Sequence, residues 1–526
     1  MILPRRFLRQ CRRKLRTSKI ADSTGSDLTG GVALLRTLAV RSMLRRDVLV
    51  PDERFVGLLL PPSVFGVLTN VAVTLDRRVA VNLNFTASAK VMNSCIAQCG
   101  IKHIVTSRKV MQKLDVKLDA ELVYLEDFKD RATFLDKALA AVHAFVTPVV
   151  MLERMLGLTS VKPDDLLTVV FTSGSTGEPK GVMLSHENVG SNVDAIDAIV
   201  QLSPNDVLLG AIPLFHSLGY TTTMWTVLAL DLKGAYHFSP LEAHEIGRLA
   251  RKHQATIIIT APTFLRSYLR RCEPEDLKSL EVAVAGAEKL PTDLCDAFEK
   301  KYGVRPVEGY GATELSPLVS VNVPAARAPK TDRVIAKEGT VGRPIPKVTV
   351  EVRDPETGKK LDTGTAGLLW VTGPNVMQGY LNHPEMTAKV VRDGWYNTGD
   401  MAVIDSDGFI TITGRESRFS KLGGEMVPHL RIEEELERAI GAPGEKVVVA
   451  VTAVPDARKG ERLVVLHTKL DKKPAELTKE LAQQGLPNLW IPGNDSFFEV
   501  DEIPVLGTGK VDLKRLRDMA IERAGK

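Results

Sequence analysis

Cysteine is scarce in this chain, with five residues in 526 at irregular positions: Cys11, Cys95, Cys99, Cys272 and Cys295. That excludes a disulfide framework and points to a reducing, cytoplasmic compartment. Cys95-x-x-x-Cys99 has no second ligand pair beside it, which argues against a metal site there. Aromatic residues make up only 5% of the chain. Phe7 is the one aromatic residue among the N-terminal cations, so a nucleic-acid surface is disfavoured. No uninterrupted apolar run reaches the ~20 residues of a spanning helix. No apolar h-region follows the N-terminal cations, so a secretory signal is not expected. Repeats and low-complexity tracts are also missing. What is present is ordinary globular composition, 44% hydrophobic and 25% charged, in a chain long enough for two or more domains and a large core.

The net charge of +5 is unevenly placed. Arg5, Arg6, Arg9, Arg12, Arg13, Lys14, Arg16 and Lys19 all precede the first acidic residue, Asp22, and the remainder of the chain is slightly negative. Ile2, Leu3, Phe7, Leu8 and Leu15 interleave with these cations. Two readings fit: a surface helix lying on anionic lipid at the inner face of the membrane, or a solvated basic helix that opens the first domain. A second apolar stretch, Ala138 to Leu152, is broken by Pro148 and is too short to span. It reads as core or as the greasy opening of a site in preference to a membrane contact.

Up to about Thr413 the chain alternates strand-like runs with helical patterns. Phe55–Leu60, Lys102–Thr106, Leu166–Phe171, Thr256–Thr260 and Val282–Ala285 read as strands, and Glu242–His253 reads as a helix. This alternation predicts an α/β fold of layered, largely parallel sheets, with ligands beyond the carboxyl ends of strands. Turn signals at Asp362-Thr363-Gly364 and Asp405-Ser406-Asp407-Gly408 mark a β subdomain over about 340–413. The domain expectation is therefore 1–413, followed by a small α+β domain over 414–526.

The chemistry is concentrated after strands. Phe171-Thr172-Ser173-Gly174-Ser175-Thr176-Gly177-Glu178-Pro179-Lys180-Gly181 places glycines, hydroxyls and a lysine where an apolar strand ends. Glycines allow close backbone approach, hydroxyls add donors, and the lysine adds a point charge, which together suit polyphosphate. The spacing is not that of a Walker A loop. His216 follows another strand within Pro213–Gly219. Ala285-Gly286-Ala287-Glu288 ends a strand with small residues, against which a flat ring can lie. Tyr310-Gly311-Ala312-Thr313-Glu314 joins an aromatic face, a hydroxyl and a carboxylate, a set suited to a base, a phosphate and magnesium. Asp400, on the turn Trp395–Asp400, can take both ribose hydroxyls, and Gly414-Arg415 can add a contact. Lys510 lies in a Gly-rich segment near the end. Taken singly, His216 reads as structural, Asp400 as a turn residue and Lys510 as a solvated charge.

Together, in this order, the segments resemble the adenylate-forming (AMP-binding) superfamily of acyl-CoA synthetases, luciferases and peptide-synthetase adenylation domains. The resemblance covers nearly the whole chain. It implies a large N-terminal domain, a small mobile C-terminal lid, and ATP and Mg2+ as cofactors. By motif match, Thr172, Ser173, Gly174, Ser175, Thr176, Gly177 and Lys180 would hold the β- and γ-phosphates. His216 would stand beside the carboxylate. Gly286, Ala287 and Glu288 would wall the adenine, Tyr310 would stack on it, and Gly311 belongs to the same motif. Thr313 would contact phosphate and Glu314 would be the metal ligand. Asp400 and Arg415 would hold the ribose, and Lys510 would bridge carboxylate and phosphate oxygens. Gly423-Gly424 would line the path of the thiol.

Within that family, the pattern from Arg418 through Val427 looks like the acyl-carrier-protein synthetase half of the bifunctional 2-acylglycerophosphoethanolamine acyltransferase/acyl-carrier-protein synthetase, and Ala21-Asp22-Ser23-Thr24-Gly25 fits that subgroup too. No His-x-x-x-x-Asp acyltransferase motif is present. Ser417 departs from the Asp or Lys that many relatives carry at the hinge. The implied reaction is ATP-dependent activation of a fatty acid and its transfer to the thiol of coenzyme A or of acyl carrier protein phosphopantetheine. Arg418, Lys421, Arg431, Lys446, Arg458 and Lys459 would present positive charge to an acidic carrier. The alternatives are an aryl or amino acid ligase, decided by the pocket between Trp225 and Val321, and a non-catalytic binding protein at a membrane surface.

Overall fold

The computed structural model describes residues 1–173, 178–328, 334–422, 425–441, 447–456, 460–505 and 511–524. Gly174, Ser175, Thr176, Gly177, Gly423, Gly424, Lys446, Arg458, Lys459 and Lys510 lie outside the described residues, as do the side chains of Ser173, Ser417 and Lys421.

The β-branched runs form strands as their composition predicts, and they assemble into two large sheets of an α/β fold. Among the described residues one sheet has nine strands. From one edge these are Arg343–Pro344, Leu318–Val321, Val307–Gly311, Val282–Ala285, Ile257–Thr260, Val207–Gly210, Lys233–Tyr236, Ser18–Asp22 and Asp27–Thr29. Its central pairs are parallel, with Ile257 opposite Val282 and Lys233 opposite Val207. The second sheet has seven strands: Gly379–Tyr380, Pro179–Ser185, Leu166–Ser173, Val79–Asn82, Phe55–Leu58, His103–Thr106 and Glu121–Tyr124. The strands from Leu166–Ser173 to Glu121–Tyr124 pair in parallel. A five-stranded antiparallel sheet over Thr349–Arg415 matches the turn-rich stretch that predicts a β subdomain.

The last part of the chain has its own core. A hairpin of Phe419–Leu422 and Glu425–Pro428 leads into the helix His429–Ile440. A three-stranded sheet of Val449–Asp456, Gly460–His467 and Phe497–Glu499 follows, flanked by the helices Pro474–Gln483 and Leu513–Ala524. Leu422, Val427, Ile432, Leu436, Val451 and Val465 pack together there, while the buried members of the main core extend no further than Ile410. This is the small C-terminal domain that the change of pattern predicts. A Cβ at Gly414 would meet the Phe419 ring at 2.7 Å, so the crossing into this region depends on glycine.

The basic N-terminus corrects one sequence reading. Leu3–Arg13 is a helix, but Leu3, Phe7, Leu8 and Cys11 are fully buried in the main core, so its apolar face is not available to lipid. Each of the Leu3, Phe7 and Leu8 side chains contributes about 1.5–3 kcal/mol of burial free energy. Four of its cations are engaged by the protein: Arg5 and Arg9 both bind Glu153, Arg6 binds Asp194, and Arg12 donates to the carbonyl of Thr147. Lys19 is also buried, and its ammonium donates to the carbonyls of Val227, Leu230 and Leu232. Burial lowers its pKa to about 7. The five cysteines are free and buried. Among the described residues no helix is long and apolar enough to cross a membrane.

Candidate functional site

Strand ends and the loops behind them enclose a cavity of about 1420 Å³. Its wall includes Thr172, His216, Gly286–Glu288, Tyr310–Glu314 and Arg415, drawn from segments far apart in the chain. Ligand pockets commonly run to about 300–1,000 Å³, so this one has room for two ligands together.

The glycine- and hydroxyl-rich segment 174–177 is flanked by paired strands. Leu166–Ser173 and Pro179–Ser185 run antiparallel, and Thr172 stands opposite Lys180. Lys180 Nζ lies 5.5 Å from the centre of the Tyr380 ring. Tyr380 Oη donates to Glu314 Oε1 at 2.8 Å. Thus Lys180 and Glu314, 134 positions apart, meet at one tyrosine, which sequence reading did not identify. The backbone of Glu314 is fixed as well, its carbonyl accepting from Met377 N at 2.8 Å.

Asp400 is only 4% exposed and is absent from the cavity wall. It accepts hydrogen bonds from the Tyr310 hydroxyl and from Arg415 Nε, the latter at 2.9 Å. The register of Trp395–Ile404 on Ile410–Arg415 sets this pair, with Asp400 directly opposite Arg415. Burial and the neighbouring Asp400 carboxylate push the Tyr310 phenol well above its ordinary pKa, so the hydroxyl stays a donor. The carboxylate raises the pKa of Arg415.

His216 is exposed on the wall, with its ring 4.5 Å from Phe215, which meets Phe85 edge-on at 4.9 Å. Ser217 Oγ donates to Thr313 Oγ1 at 3.2 Å, which ties this segment to Tyr310–Glu314. A π-helix, Gly219–Trp225, begins just beyond. A Cβ at Gly219 would meet the Pro213 carbonyl at 2.4 Å, so the tight approach requires glycine. Glu288 is oriented by Thr263, whose hydroxyl donates to Oε2 at 2.6 Å. Ala287 holds a left-handed φ of +69°, unusual for a residue with a side chain and common near functional sites.

Ile196, Ile199, Val200, Leu218, Leu318 and Val321 line an aliphatic part of the cavity. Val321 is where sequence places the pocket, but Trp225 is fully buried in the core and is not part of its wall. The proposed carrier-facing patch is also reduced. Arg418 is buried against Glu433, which also accepts from Val451 N at 2.5 Å, and Arg431 pairs with Glu434 and Glu435. The motif Ala21–Gly25 proves to be a brace: Asp22 accepts from Thr24 and, across the fold, from Val64 N at 2.9 Å.

No group of three or more metal-ligating side chains occurs among the described residues. Magnesium does not need one, since it commonly takes one or two protein carboxylates plus substrate phosphates and water. Glu314, half-buried at the wall beside Lys180 and Tyr380, fits that description.

Next to this wall, on Val307–Gly311, burial raises the Glu308 carboxyl from its ordinary 4.5 to about 7. It holds its proton more tightly folded than unfolded, so its contribution to stability falls as pH climbs from about 4.5 to about 7. Glu308→Gln should therefore gain melting temperature relative to wild type across that range. A constant difference between the two proteins would show that Glu308 ionises normally.

A model of the AMP-binding enzyme family matches residues 7–381. The long-chain-fatty-acid–CoA ligase of Bacillus subtilis (strain 168) is 32% identical over 380 residues, which cover 70% of this chain and 64% of that protein. The chain thus matches less than two thirds of that ligase's length. The feruloyl-CoA synthase of an Amycolatopsis species is 32% identical over 354 residues, covering 66% of this chain and 68% of that protein. The structure of ATP-bound MatB from Rhodopseudomonas palustris superimposes with a TM-score of 0.77 at 28% identity, with 98% of each chain covered. The family model spans well over half of the chain, and the fold superimposes over nearly its whole length: this chain belongs to the AMP-binding enzyme family.

Proposed function

We propose that the protein activates a fatty acid with ATP, forms an acyl-adenylate and transfers the acyl group to a thiol. The observation that carries this reading is a single cavity that joins the Gly286–Glu288 and Tyr310–Glu314 walls to an aliphatic surface. In this reading the Tyr310 ring stacks on the base, Asp400 and Arg415 orient the ribose, and Thr172, Ser173 and Lys180 hold the terminal phosphates. Gly174, Ser175, Thr176 and Gly177 complete that loop. His216, braced by Phe215, stands beside the carboxylate, and Thr313 contacts the α-phosphate. Glu314 would hold magnesium, which would supply charge neutralisation to the phosphates.

The carboxylate oxygen attacks the α-phosphorus and pyrophosphate leaves. Both partners are anionic, so catalysis rests on positioning and on stabilising charge in the transition state. Lys510 supplies the cation for that step, and residues 414–526 act as a mobile lid over domain 1–413. The thiol then attacks the acyl carbon and AMP departs. The names of the relatives favour coenzyme A as acceptor. Carrier protein is the second acceptor to test, and the burial of Arg418 weakens its case. The feruloyl relative makes aryl acids the second substrate class.

The test is acid-dependent ATP–pyrophosphate exchange, scanning acids from acetate to stearate together with aryl and amino acids. Exchange confined to long aliphatic acids is the expected result. Exchange with aryl acids alone overturns the substrate class, and no exchange in a folded, ATP-binding protein overturns the activity. In the same assay Lys510→Ala should lose at least about 10²-fold in rate, the scale of one well-placed electrostatic group. Near-normal exchange would remove Lys510 from the mechanism.

A further inference from the structure

The stretch that reads as core or a site opening is largely neither. Its helices, Phe134–Ala141 and Val149–Met155, are joined by the π-helix Val142–Val146. Ala140, Ala144 and Leu152 face the core, but the larger apolar side chains face out, with Phe134 at 87% and Val146 at 73% exposure. Leu135, Leu139, Val142 and Val146 recur at helical spacing and are all exposed, which makes one stripe. Val150, Met151 and Met155 extend the exposed surface beyond Pro148. Scattered exposed apolar residues are ordinary, but a continuous stripe marks an interaction surface.

The charges on the segment are sorted by sign. Its two acidic residues are both buried in ion pairs, Asp136 with Arg46 and Glu153 with Arg5 and Arg9. Its cations Lys137 and Arg154 are exposed. Arg12 bonds the bend at Thr147, and Arg13 and Arg16 follow it as exposed residues. An apolar band on a segment whose own exposed charges are cations suits an interface of apolar chains beneath anionic headgroups. In a symmetric pairing of two copies, these same cations would face one another without compensation.

The face also lies near the cavity. Phe145 packs against Gly31, where a Cβ would come within 2.5 Å of its ring. Gly31 lies on the helix Gly30–Asp47, and five residues further along it the Arg36 guanidinium sits 5.8 Å from the centre of the Phe65 ring. Phe65 lines the cavity and is 45% exposed, so it stands at an opening.

We infer that the exposed face of residues 134–155 docks on the surface of an anionic lipid bilayer, beside the opening of the cavity. Co-sedimentation of the full chain with vesicles tests this, using phosphatidylcholine alone and phosphatidylcholine with about a quarter phosphatidylglycerol. The expected result is binding to the anionic vesicles that weakens with salt. Leu135→Ser/Val146→Ser/Met151→Ser should weaken it by at least about tenfold at an unchanged melting temperature. Lys137→Glu/Arg154→Glu, which keeps the apolar stripe, should weaken binding to the anionic vesicles. Absence of binding to either vesicle would overturn the proposal, as would undiminished binding by both variants. A dimer in sedimentation velocity that the serine variant dissociates, without vesicle binding, would also overturn it and would identify a second copy as the occupant.

Discussion

Glu314→Gln is expected to lower acid-dependent pyrophosphate exchange by about 10³-fold, which corresponds to about 4 kcal/mol of transition-state stabilisation. Glutamine keeps the size of the side chain and can still accept from the Tyr380 hydroxyl, which now reaches Oε1 at 2.8 Å. What it loses is the negative charge, and with it the protein's carboxylate for a hard divalent cation. The melting temperature should therefore change little while the rate collapses. Raising the magnesium concentration should recover part of the rate, because the defect lies in holding the ion. If Glu314→Gln keeps near-normal exchange at low magnesium, the metal-binding role of Glu314 is wrong. Tyr380→Phe is the companion measurement. It leaves the charge in place and removes only the hydrogen bond that aims it, so the expected loss is smaller, about tenfold.

Asp400→Ala is the second large effect. Asp400 is nearly inaccessible, and it gathers the Tyr310 hydroxyl and the Arg415 guanidinium at one point. Removing it frees the Tyr310 hydroxyl and the Arg415 guanidinium, the two groups through which it orients the ribose in the proposed function. The expected result is a rise of about 10–100-fold in KM for ATP, with a smaller change in kcat, as for an interaction made equally in ground and transition states. Stability should also fall. A fully buried pair broken on one side costs about 3–5 kcal/mol, but the Arg415 side chain is 64% exposed and water can take up its charge, so about 1–2 kcal/mol is expected. Asp400→Asn should be intermediate, since it still accepts from Tyr310. An unchanged KM for ATP in Asp400→Ala would make the residue purely structural.

Much of the fold was legible in the sequence because its signals are local. The runs at Leu166–Phe171 and Val282–Ala285 are continuous, apolar and rich in valine, so they read as strands without knowledge of their neighbours. The loop after Phe171 and the segment Tyr310–Glu314 announce their chemistry through residue types a few positions apart. The turns that bound the β subdomain depend on Asp and Gly within four residues. Each of these is fixed by backbone sterics or by hydrogen bonds over short chain separations.

Side-chain environment was not legible, because it depends on what arrives from elsewhere. The N-terminal cations look like a solvated or lipid-facing helix until Glu153 and Asp194 are brought against them. Arg418 looks like a surface charge until Glu433 folds over it. Residues 138–152 look like core because their composition is apolar, yet which side of a helix is covered depends on the number of partners packed against it. The partnership of Asp400 with Tyr310 spans 90 positions, and that of Glu314 with Tyr380 spans 66. By itself the sequence determined the strands, the loops and the inventory of reactive groups. Only the tertiary structure decided which charges are buried, which carboxylate is held by which tyrosine, and which apolar face is left to solvent. The reason is physical: backbone conformation is set mainly by neighbours along the chain, whereas burial and electrostatic pairing are set by neighbours in space.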